Sequence, residues 1–282
     1  MTCAWEAFIN LLPIWMRESV HEKGEKTLQN LRLRVGQPPV LVTSGCQISL
    51  SRNVSFDDLQ FCINVASRYS PWAAATVMQG YITAQGGHRL GICGETAISN
   101  DTVNCIRVPT SICLRVARDF PGIAGKIKDL EGSVLIIGKP GCGKTTLLRD
   151  MIRQKSNSGT ENISVVDERE EIFPRYSKNM CFPVGANTDV ISGCSKTHGI
   201  ELVLRNMGPD IIAVDEITAE ADCRALLHVG WCGVKLLATA HASSSQDLLN
   251  RPVYRPIVES GLFDHLVILH QDKSWHVEGM KL

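Results

Sequence analysis

A glycine-rich segment near the middle of the chain has the residue types and spacing that bind the phosphates of a nucleotide. Gly138-Lys139-Pro140-Gly141-Cys142-Gly143-Lys144-Thr145 matches the pattern GxxxxGK[ST], and Thr146 continues it into a helical segment. The glycines let backbone N–H groups surround the phosphates, Lys144 can reach the β and γ oxygens, and the Thr145 hydroxyl can ligate Mg²⁺. The sequence therefore predicts a nucleoside triphosphate site, the alternative being a glycine turn without a ligand.

A pair of carboxylates closes a later apolar run. Asp215 and Glu216 follow Ile211-Ile212-Ala213-Val214 directly. In a phosphate-loop enzyme, an acidic residue in this place completes the Mg²⁺ shell, and a second one can orient and deprotonate the attacking water. We therefore predict Asp215 as a metal ligand together with Thr145, and Glu216 as the general base. Because apolar runs commonly end in acidic residues, a purely structural pair is the alternative.

Two more polar groups follow apolar runs in the same half of the chain. Asp167-Glu168-Arg169-Glu170-Glu171 comes after the run that starts at Ile163, and His241 comes after the run that starts at Val234. The carboxyl ends of parallel strands meet at one edge, where ligands bind. We therefore expect Glu168 or Asp167 to assist the metal or the water, and His241 to sense the γ-phosphate. A solvated charge run and a hydrogen-bonded structural histidine are the alternatives.

The spacing of apolar residues places these groups in the second of two domains. From residue 126 onward, apolar strands alternate with helical segments, which is typical of a parallel α/β sheet with crossover helices. Before that, short strands, a hairpin around Gly86-Gly87 and a helix from Phe56 capped by Ser55 indicate a mixed fold. We predict an α/β protein with a smaller α+β domain over residues 1–125 and a phosphate-loop NTPase domain over residues 126–282.

The N-terminus carries an apolar stripe at helical spacing, formed by Trp5, Phe8, Ile9, Leu12 and Met16. We predict that this stripe faces a core, because basic residues do not line its opposite side as they would on a membrane surface. The segment has no basic region typical of a signal peptide, and charged residues interrupt the long apolar windows. We therefore expect neither a signal peptide nor a membrane-spanning helix.

The net charge and the cysteines bear on which partners and which cellular compartment to expect. The formal net charge of the 282 residues is zero, which gives no bulk electrostatic reason to expect nucleic acid. The 11 cysteines form no CxxC pair and no Cys/His cluster with zinc-ligand spacing. We interpret them as reduced thiols, and Cys142 within the phosphate loop favours the cytoplasm.

The order of these motifs resembles the type II/IV secretion and pilus ATPases. The order is phosphate loop, acidic box, Leu204-Arg205 before Pro209-Asp210, acidic pair, and Thr239-Ala240-His241. Within that superfamily the chain is most similar to the stage III sporulation protein AA family. Further segments that carry this resemblance lie in both halves: Leu31-Arg32-Leu33-Arg34, Gly80-Tyr81-Ile82-Thr83, Gly86-Gly87-His88-Arg89-Leu90-Gly91, Leu114-Arg115-Val116-Ala117-Arg118, Val166-Asp167-Glu168-Arg169, Thr188-Asp189-Val190 and Glu259-Ser260-Gly261-Leu262-Phe263.

The resemblance implies a RecA/AAA+-like ATPase that uses ATP with Mg²⁺ and assembles as a homo-hexamer, with the N-terminal domain packed over the nucleotide. It implies membrane-embedded channel components of the sporulation apparatus as partners. It also implies a cytoplasmic location, peripheral at the inner, mother-cell face of a membrane, where the protein energises channel assembly or transport. A nucleic-acid-directed ATPase and a nucleotide-binding scaffold without turnover are the rival functions.

Arginines are the least defined part of this prediction. The family places arginines of the N-terminal domain against the phosphates, and Arg89 and Arg115 are the candidates, with Arg205 as a third. For each one, an exposed salt-bridging role is the alternative. Three departures from the family pattern lie nearby in sequence: Asn187 in place of an arginine, Ser195 in place of a proline, and Ala73-Ala74-Ala75 in place of an acidic stretch.

Overall fold

A computed structural model of the chain describes residues 1–43, 45–68, 80–99 and 102–280. They form two compact units, Met1–Asp119 with Arg175–Cys181, and Phe120–Pro174 with Phe182–Leu282. The predicted boundary at residue 125 thus lies a few residues inside the second unit. The segment Arg175–Cys181 groups with the first unit, which the sequence pattern did not indicate. The Ala73-Ala74-Ala75 departure lies outside the described residues.

The first unit is built on an antiparallel sheet. The strands are β1 (Leu28–Arg34), β2 (Val40–Thr43), β3 (Gln47–Ser49), β4 (Tyr81–Thr83), β5 (Arg89–Ser99) and β6 (Thr102–Arg115). Their order in the described part of the chain is β3-β2-β1-β6-β5-β4. In β1, Leu28, Leu31 and Leu33 are buried while the residues between them are at least partly exposed, as expected of a strand with one face on a core.

In the described part of the first unit, three α-helices accompany the sheet: α1 (Trp5–Asn10), α2 (Ile14–Gly24) and α3 (Phe56–Ser67). The predicted N-terminal stripe is buried at all five positions, so its core-facing orientation is confirmed. It spans two helices because Pro13 precedes α2 and cannot donate a backbone hydrogen bond. The predicted cap of α3 is also confirmed. The Ser55 side chain accepts a hydrogen bond from the N–H of Asp58, and the Asp58 carboxylate accepts one from the N–H of Ser55.

The second unit contains the predicted parallel sheet. Its strands are β7 (Val134–Gly138), β8 (Ile163–Asp167), β11 (Thr188–Ser192), β12 (Ile211–Ile217), β13 (Lys235–Ala240), β14 (His265–Leu269) and β15 (Trp275–Gly279). The order is β11-β8-β12-β13-β7-β14-β15 among the described residues. Neighbouring strands are parallel except β14 and β15, which form the predicted antiparallel terminal hairpin. The strands β9 (Arg175–Tyr176) and β10 (Asn179–Met180) form a separate small hairpin.

Helices connect the parallel strands and cover the sheet. They are α4 (Lys144–Ser158), α5 (Lys196–Asn206), α6 (Glu220–Trp231), α7 (Ser245–Asn250) and α8 (Arg255–Glu259). Every residue of β7 and β8 is buried, as expected for strands with both faces covered. Because β13 lies between β7 and β12, the phosphate loop after β7 and the acidic pair in β12 both border the end of β13.

No helix in the described ranges is long and apolar enough to cross a membrane.

Candidate functional site

The phosphate loop connects the end of β7 to the start of α4, as the sequence predicts. A Cβ atom on Gly138 would lie 2.6 Å from the Sγ of Cys142 and 2.6 Å from the carbonyl oxygen of Leu269, so the close approach of the loop requires glycine there. Gly141 and Gly143 have φ values of +77° and +106°, which side chains rarely adopt. The loop conformation therefore depends on the glycines of the motif.

Lys144 lies at the centre of the site. It is 6% exposed, and its Nζ donates hydrogen bonds to the carbonyl oxygen of Gly138 at 2.9 Å and to Nδ1 of His241 at 3.0 Å. Burial lowers the pKa of the ammonium, and the nearby acidic side chains of Asp215 and Glu216 act in the opposite direction. The predicted phosphate-binding lysine thus already has hydrogen-bond partners within the site.

Asp215 and Thr145 are brought together by adjacent segments of the sheet edge. The Asp215 carboxylate accepts hydrogen bonds from the Thr145 hydroxyl and, at 2.5 Å, from the hydroxyl of Thr239. Burial raises the pKa of Asp215, while these two hydroxyl donors lower it. A hydroxyl and a carboxylate side by side are the hard oxygen ligands that Mg²⁺ prefers.

Glu216 occupies an irregular point in β12. Its φ is +50°, and the pairing of β12 with β13 shifts register between Val214 and Ile217. The N–H of Glu216 donates to the side-chain hydroxyl of Thr239 at 2.8 Å. This bond takes the place of a backbone hydrogen bond between the two strands at this residue. Strained backbone of this kind concentrates at functional sites.

His241 connects the loop lysine to the glutamate. Its Nε2 lies 2.5 Å from Oε1 of Glu216, and its Nδ1 accepts from the Lys144 ammonium, so the ring proton resides on Nε2. Oε2 of Glu216 also lies 3.9 Å from an exposed guanidinium nitrogen of Arg169. Lys144, His241 and Glu216 therefore form one continuous chain of polar contacts.

Asp167 is a buried carboxyl whose contacts are with backbone. It accepts from the N–H groups of Glu171 at 2.8 Å, Ile172 at 3.0 Å and Phe173 at 2.8 Å, and so shapes the loop after β8. Burial raises its pKa to about 6, and the three N–H donors act against that rise. Of the two acids proposed from sequence to assist the metal or water, Asp167 thus has a clear structural task.

Glu168 faces a shallow pocket beside the acidic pair. The pocket encloses about 310 Å³, part of it open to solvent, and its lining residues are Asp167, Glu168, Arg169, Glu171, Lys196, Asp215, Glu216 and Thr218. Oε2 of Glu168 lies 2.6 Å from the ammonium of Lys196, the first residue of α5. Glu168 therefore shares the pocket with Glu216 and is held by a cation.

Of the three candidate arginines, Arg205 is outside the lining of this pocket, and Arg89 and Arg115 belong to the first unit. Arg205 is exposed in the last turn of α5, nine residues beyond Lys196, or about 13 Å at the helical rise of 1.5 Å per residue. Arg205 thus lies away from this pocket on its own helix, and its role toward the phosphates stays a prediction. Arg89 and Arg115 are paired directly across β5 and β6 of the first unit, and Arg89 stacks on the ring of Tyr81 at 3.8 Å. Their role toward nucleotide stays a prediction.

Two site residues were not assigned by sequence reasoning. Thr239 was noted only as part of a strand end, yet its buried hydroxyl contacts both members of the acidic pair. Lys196 was missed altogether. The sequence does contain an indication of its role. A lysine in the first turn of a helix is unfavourable because of the helix dipole, and its presence there indicates a nearby anion. Ser195, one of the departures from the family pattern, is the N-cap of the same helix.

Comparison with known proteins gives the same family assignment over nearly the whole chain. The family described as "Sporulation stage III, protein AA" matches residues 6–281. Stage III sporulation protein AA of Bacillus subtilis is 32% identical over 278 residues, which cover 94% of this chain and 90% of that protein.

Two solved structures share the fold at low sequence identity. The ATPase DotB of Legionella pneumophila is 18% identical with a TM-score of 0.60, and the alignment covers 94% of this chain and 79% of that one. The pilus retraction motor PilT with bound ADP is 16% identical with a TM-score of 0.60, covering 91% and 78%. The second unit thus has a RecA-like NTPase fold.

Proposed function

Because the chain belongs to the sporulation stage III, protein AA family, we propose that it is an ATP-hydrolysing enzyme of the secretion-ATPase type that acts in sporulation. One observation supports this most directly. The parallel sheet brings Lys144, Thr145, Asp215, Glu216 and His241 to a single edge, where hydrogen bonds connect them. These are the residue types that phosphoryl transfer to water requires.

The residues of the loop suit ATP and Mg²⁺. We propose that residues 138–146 bind the phosphates through backbone N–H groups and Lys144, and that the oxygens of Thr145 and Asp215 hold Mg²⁺. Gly138 supports this, because its missing Cβ keeps the loop closed over the end of β7. When bound, Mg²⁺ would neutralise charge that develops on the phosphate oxygens.

Hydrolysis then depends on the protein's own groups. We propose that Glu216 accepts a proton from water as the water oxygen bonds to the γ-phosphorus and the bond to the β,γ-bridging oxygen breaks, giving ADP and phosphate. His241 donates from Nε2 to Glu216 and fixes the direction of its carboxylate. Glu168, which lines the same pocket, helps orient the water.

The wider role is also a proposal. We propose a homo-hexameric ring at the mother-cell face of the membrane, with membrane-embedded channel components as partners and channel assembly or transport as the energised process. Arg89 or Arg115 would reach the phosphates in that assembly. Family membership supports the sporulation setting, and the shared fold supports the motor class.

The direct test measures binding and turnover separately. We expect Lys144→Ala to lose binding of a fluorescent ATP analogue, and Glu216→Gln to bind it but release less phosphate by about 100-fold or more. Glu220→Gln serves as a matched control, because Glu220 lies four residues away on the exposed face of α6. Equal turnover by Glu216→Gln and the unmodified protein would remove Glu216 from its role.

Two rival functions are separated by further measurements. Stimulation of phosphate release by single-stranded nucleic acid would favour a nucleic-acid-directed ATPase. Binding of ATP without any turnover would favour a scaffold. The sporulation role predicts that Glu216→Gln, held in its ATP-bound state, recovers integral-membrane channel components from sporulating cells, and that its mass in solution with ATP is that of a ring. Recovery of nucleoprotein instead would contradict it.

A further inference from the structure

Lys196 is a buried cation between two acidic segments of the pocket. Its side chain is 9% exposed, and its ammonium lies 2.6 Å from Oε2 of Glu168 and 3.7 Å from Oδ2 of Asp222. A lysine ammonium is costly to bury without anionic partners. Its position at the start of α5, where the helix dipole repels a cation, adds to that cost. The two carboxylates therefore account for its placement.

Asp222 connects Lys196 to the segment that carries Glu216. The Oδ2 atom of Asp222 accepts from the N–H of Thr218 at 3.0 Å and from the N–H of Ala219 at 3.2 Å. These bonds fix the turn that follows β12 and leads into α6. A displacement of Asp222 would thus move the backbone two residues from Glu216.

Glu168 is the other end of the same contact. It follows β8, whereas Asp222 follows β12, and the two strands are neighbours in the sheet. Five carboxyl-bearing residues line the pocket, against Arg169 and Lys196 as its lining cations. The side chain of Arg169 is 61% exposed, and its guanidinium comes no closer than 3.9 Å to the Glu216 carboxylate. Lys196 is therefore the buried cation of the two. Without it, Glu168 would face the other carboxylates unpaired.

We propose that Lys196 is a positioning residue for hydrolysis: its ammonium holds the Glu168 carboxylate at the pocket and connects it to the Asp222 turn beside Glu216. This inference rests on the ATPase function proposed above. Lys196 touches neither the phosphate loop nor Lys144 in the described contacts, so it acts on turnover and leaves nucleotide binding unchanged. Both strand ends that border the pocket are then fixed relative to each other by one side chain.

The test compares Lys196→Met, Lys196→Arg, Glu168→Gln and the double variant Lys196→Met/Glu168→Gln in the full chain. We expect Lys196→Met to lower kcat about 10- to 100-fold, the usual cost of a misplaced group, with KM and the Kd of a fluorescent ATP analogue changed less than about threefold. Arginine keeps the charge and the reach, so Lys196→Arg should restore most of kcat. The double variant should be no slower than Glu168→Gln, because both changes remove the same interaction.

A matched control exists in the same sheet. Lys235 and Glu161 form an ion pair of the same length, 2.6 Å, at the amino end of β13, away from the pocket. Lys235→Met should therefore keep the kcat of the unmodified protein. Lys196→Gln is measured alongside, because it removes the charge but retains a hydrogen-bond donor toward Asp222. It provides the same test of the ammonium if Lys196→Met does not fold.

The outcomes are distinct. Normal kcat in a folded Lys196→Met or Lys196→Gln, or effects of the two single changes that multiply in the double variant, would overturn the role of Lys196. Weakened nucleotide binding in these variants would also overturn it, because it would place Lys196 in the binding site. Absence of hydrolysis by the unmodified protein would instead reject the proposed function, and is recorded before any variant is compared.

Discussion

The ammonium of Lys144 lies 3.0 Å from Nδ1 of His241, although the two residues are 97 positions apart in sequence. The same imidazole contacts Glu216 through its other nitrogen. A bound triphosphate would compete with His241 for the Lys144 ammonium, because the phosphate oxygens are the stronger acceptors. Nucleotide binding and the orientation of the candidate base are thereby coupled through one ring.

Removal of His241 should separate these two effects. We expect His241→Ala to bind a fluorescent ATP analogue up to about fivefold more tightly, because Lys144 loses a competing partner worth about 1 kcal/mol. Its kcat should fall, because Glu216 loses the Nε2–H donor. Nucleotide titration and phosphate release measure the two quantities, with His228→Ala, exposed on α6, as the control. Weaker binding by His241→Ala would show that the imidazole supports the loop.

The Thr239 hydroxyl should contribute to stability and to turnover. Thr239→Val keeps the shape but leaves the N–H of Glu216 without its acceptor and removes one of the two hydroxyl donors to Asp215. We expect a loss of about 1–3 kcal/mol in the free energy of unfolding, measured by denaturant titration, together with a lower kcat. Thr239→Ser, which retains the hydroxyl, is the control. An unchanged valine variant would mean that these two bonds are dispensable.

Gly138 should not tolerate a side chain. In Gly138→Ala the new Cβ would meet Cys142 and the backbone oxygen of Leu269, each at 2.6 Å, and backbone cannot yield as a flexible side chain can. We expect the affinity for an ATP analogue to fall at least about tenfold, since the N–H groups of the loop would be displaced. Gly125→Ala, whose Cβ would lie 3.4 Å from its nearest neighbour, is the control. Retained affinity in Gly138→Ala would contradict the closed loop conformation.

The first unit should lose stability below neutral pH through His88. This buried ring accepts from the N–H of Ala117 at Nδ1 and donates to the carbonyl oxygen of Ala4 from Nε2, so it is neutral when folded. Burial lowers its pKa, the Ala4 contact raises it, and the nearby charge of Arg118 lowers it further.

Because the unfolded chain then binds a proton at higher pH than the folded one, the free energy of unfolding should decrease as pH falls through the unfolded value of about 6.5, by at most about 1.4 kcal/mol per pH unit. His88→Gln supplies a donor and an acceptor without a charge, so the slope between about pH 5 and pH 7 should be shallower in this variant. Denaturant titrations at several pH values measure that slope. Equal slopes in the two proteins would exclude His88 as the cause.

The parts of the fold and of the site that depend on consecutive residues could be predicted from the sequence. The strand, glycine loop and helix around Lys144, the acidic end of β12 and the Ser55 cap follow from local backbone preferences and side-chain reach, which short segments contain in full. The apolar stripe at the N-terminus was predicted equally well from its helical spacing. The structure differs only in dividing the stripe between two helices at Pro13.

Contacts between separate strands could not be predicted in the same way. The sequence indicated that several apolar runs end in polar residues, but the position of β13 between β7 and β12 is decided by how the strands pack. That order brings Thr239 to the acidic pair and His241 to Lys144. Sequence alone therefore determined the chemical groups and the local conformations that hold them. Tertiary structure decided which groups share hydrogen bonds, because those contacts depend on strand order and on burial, and neither is encoded within any single segment.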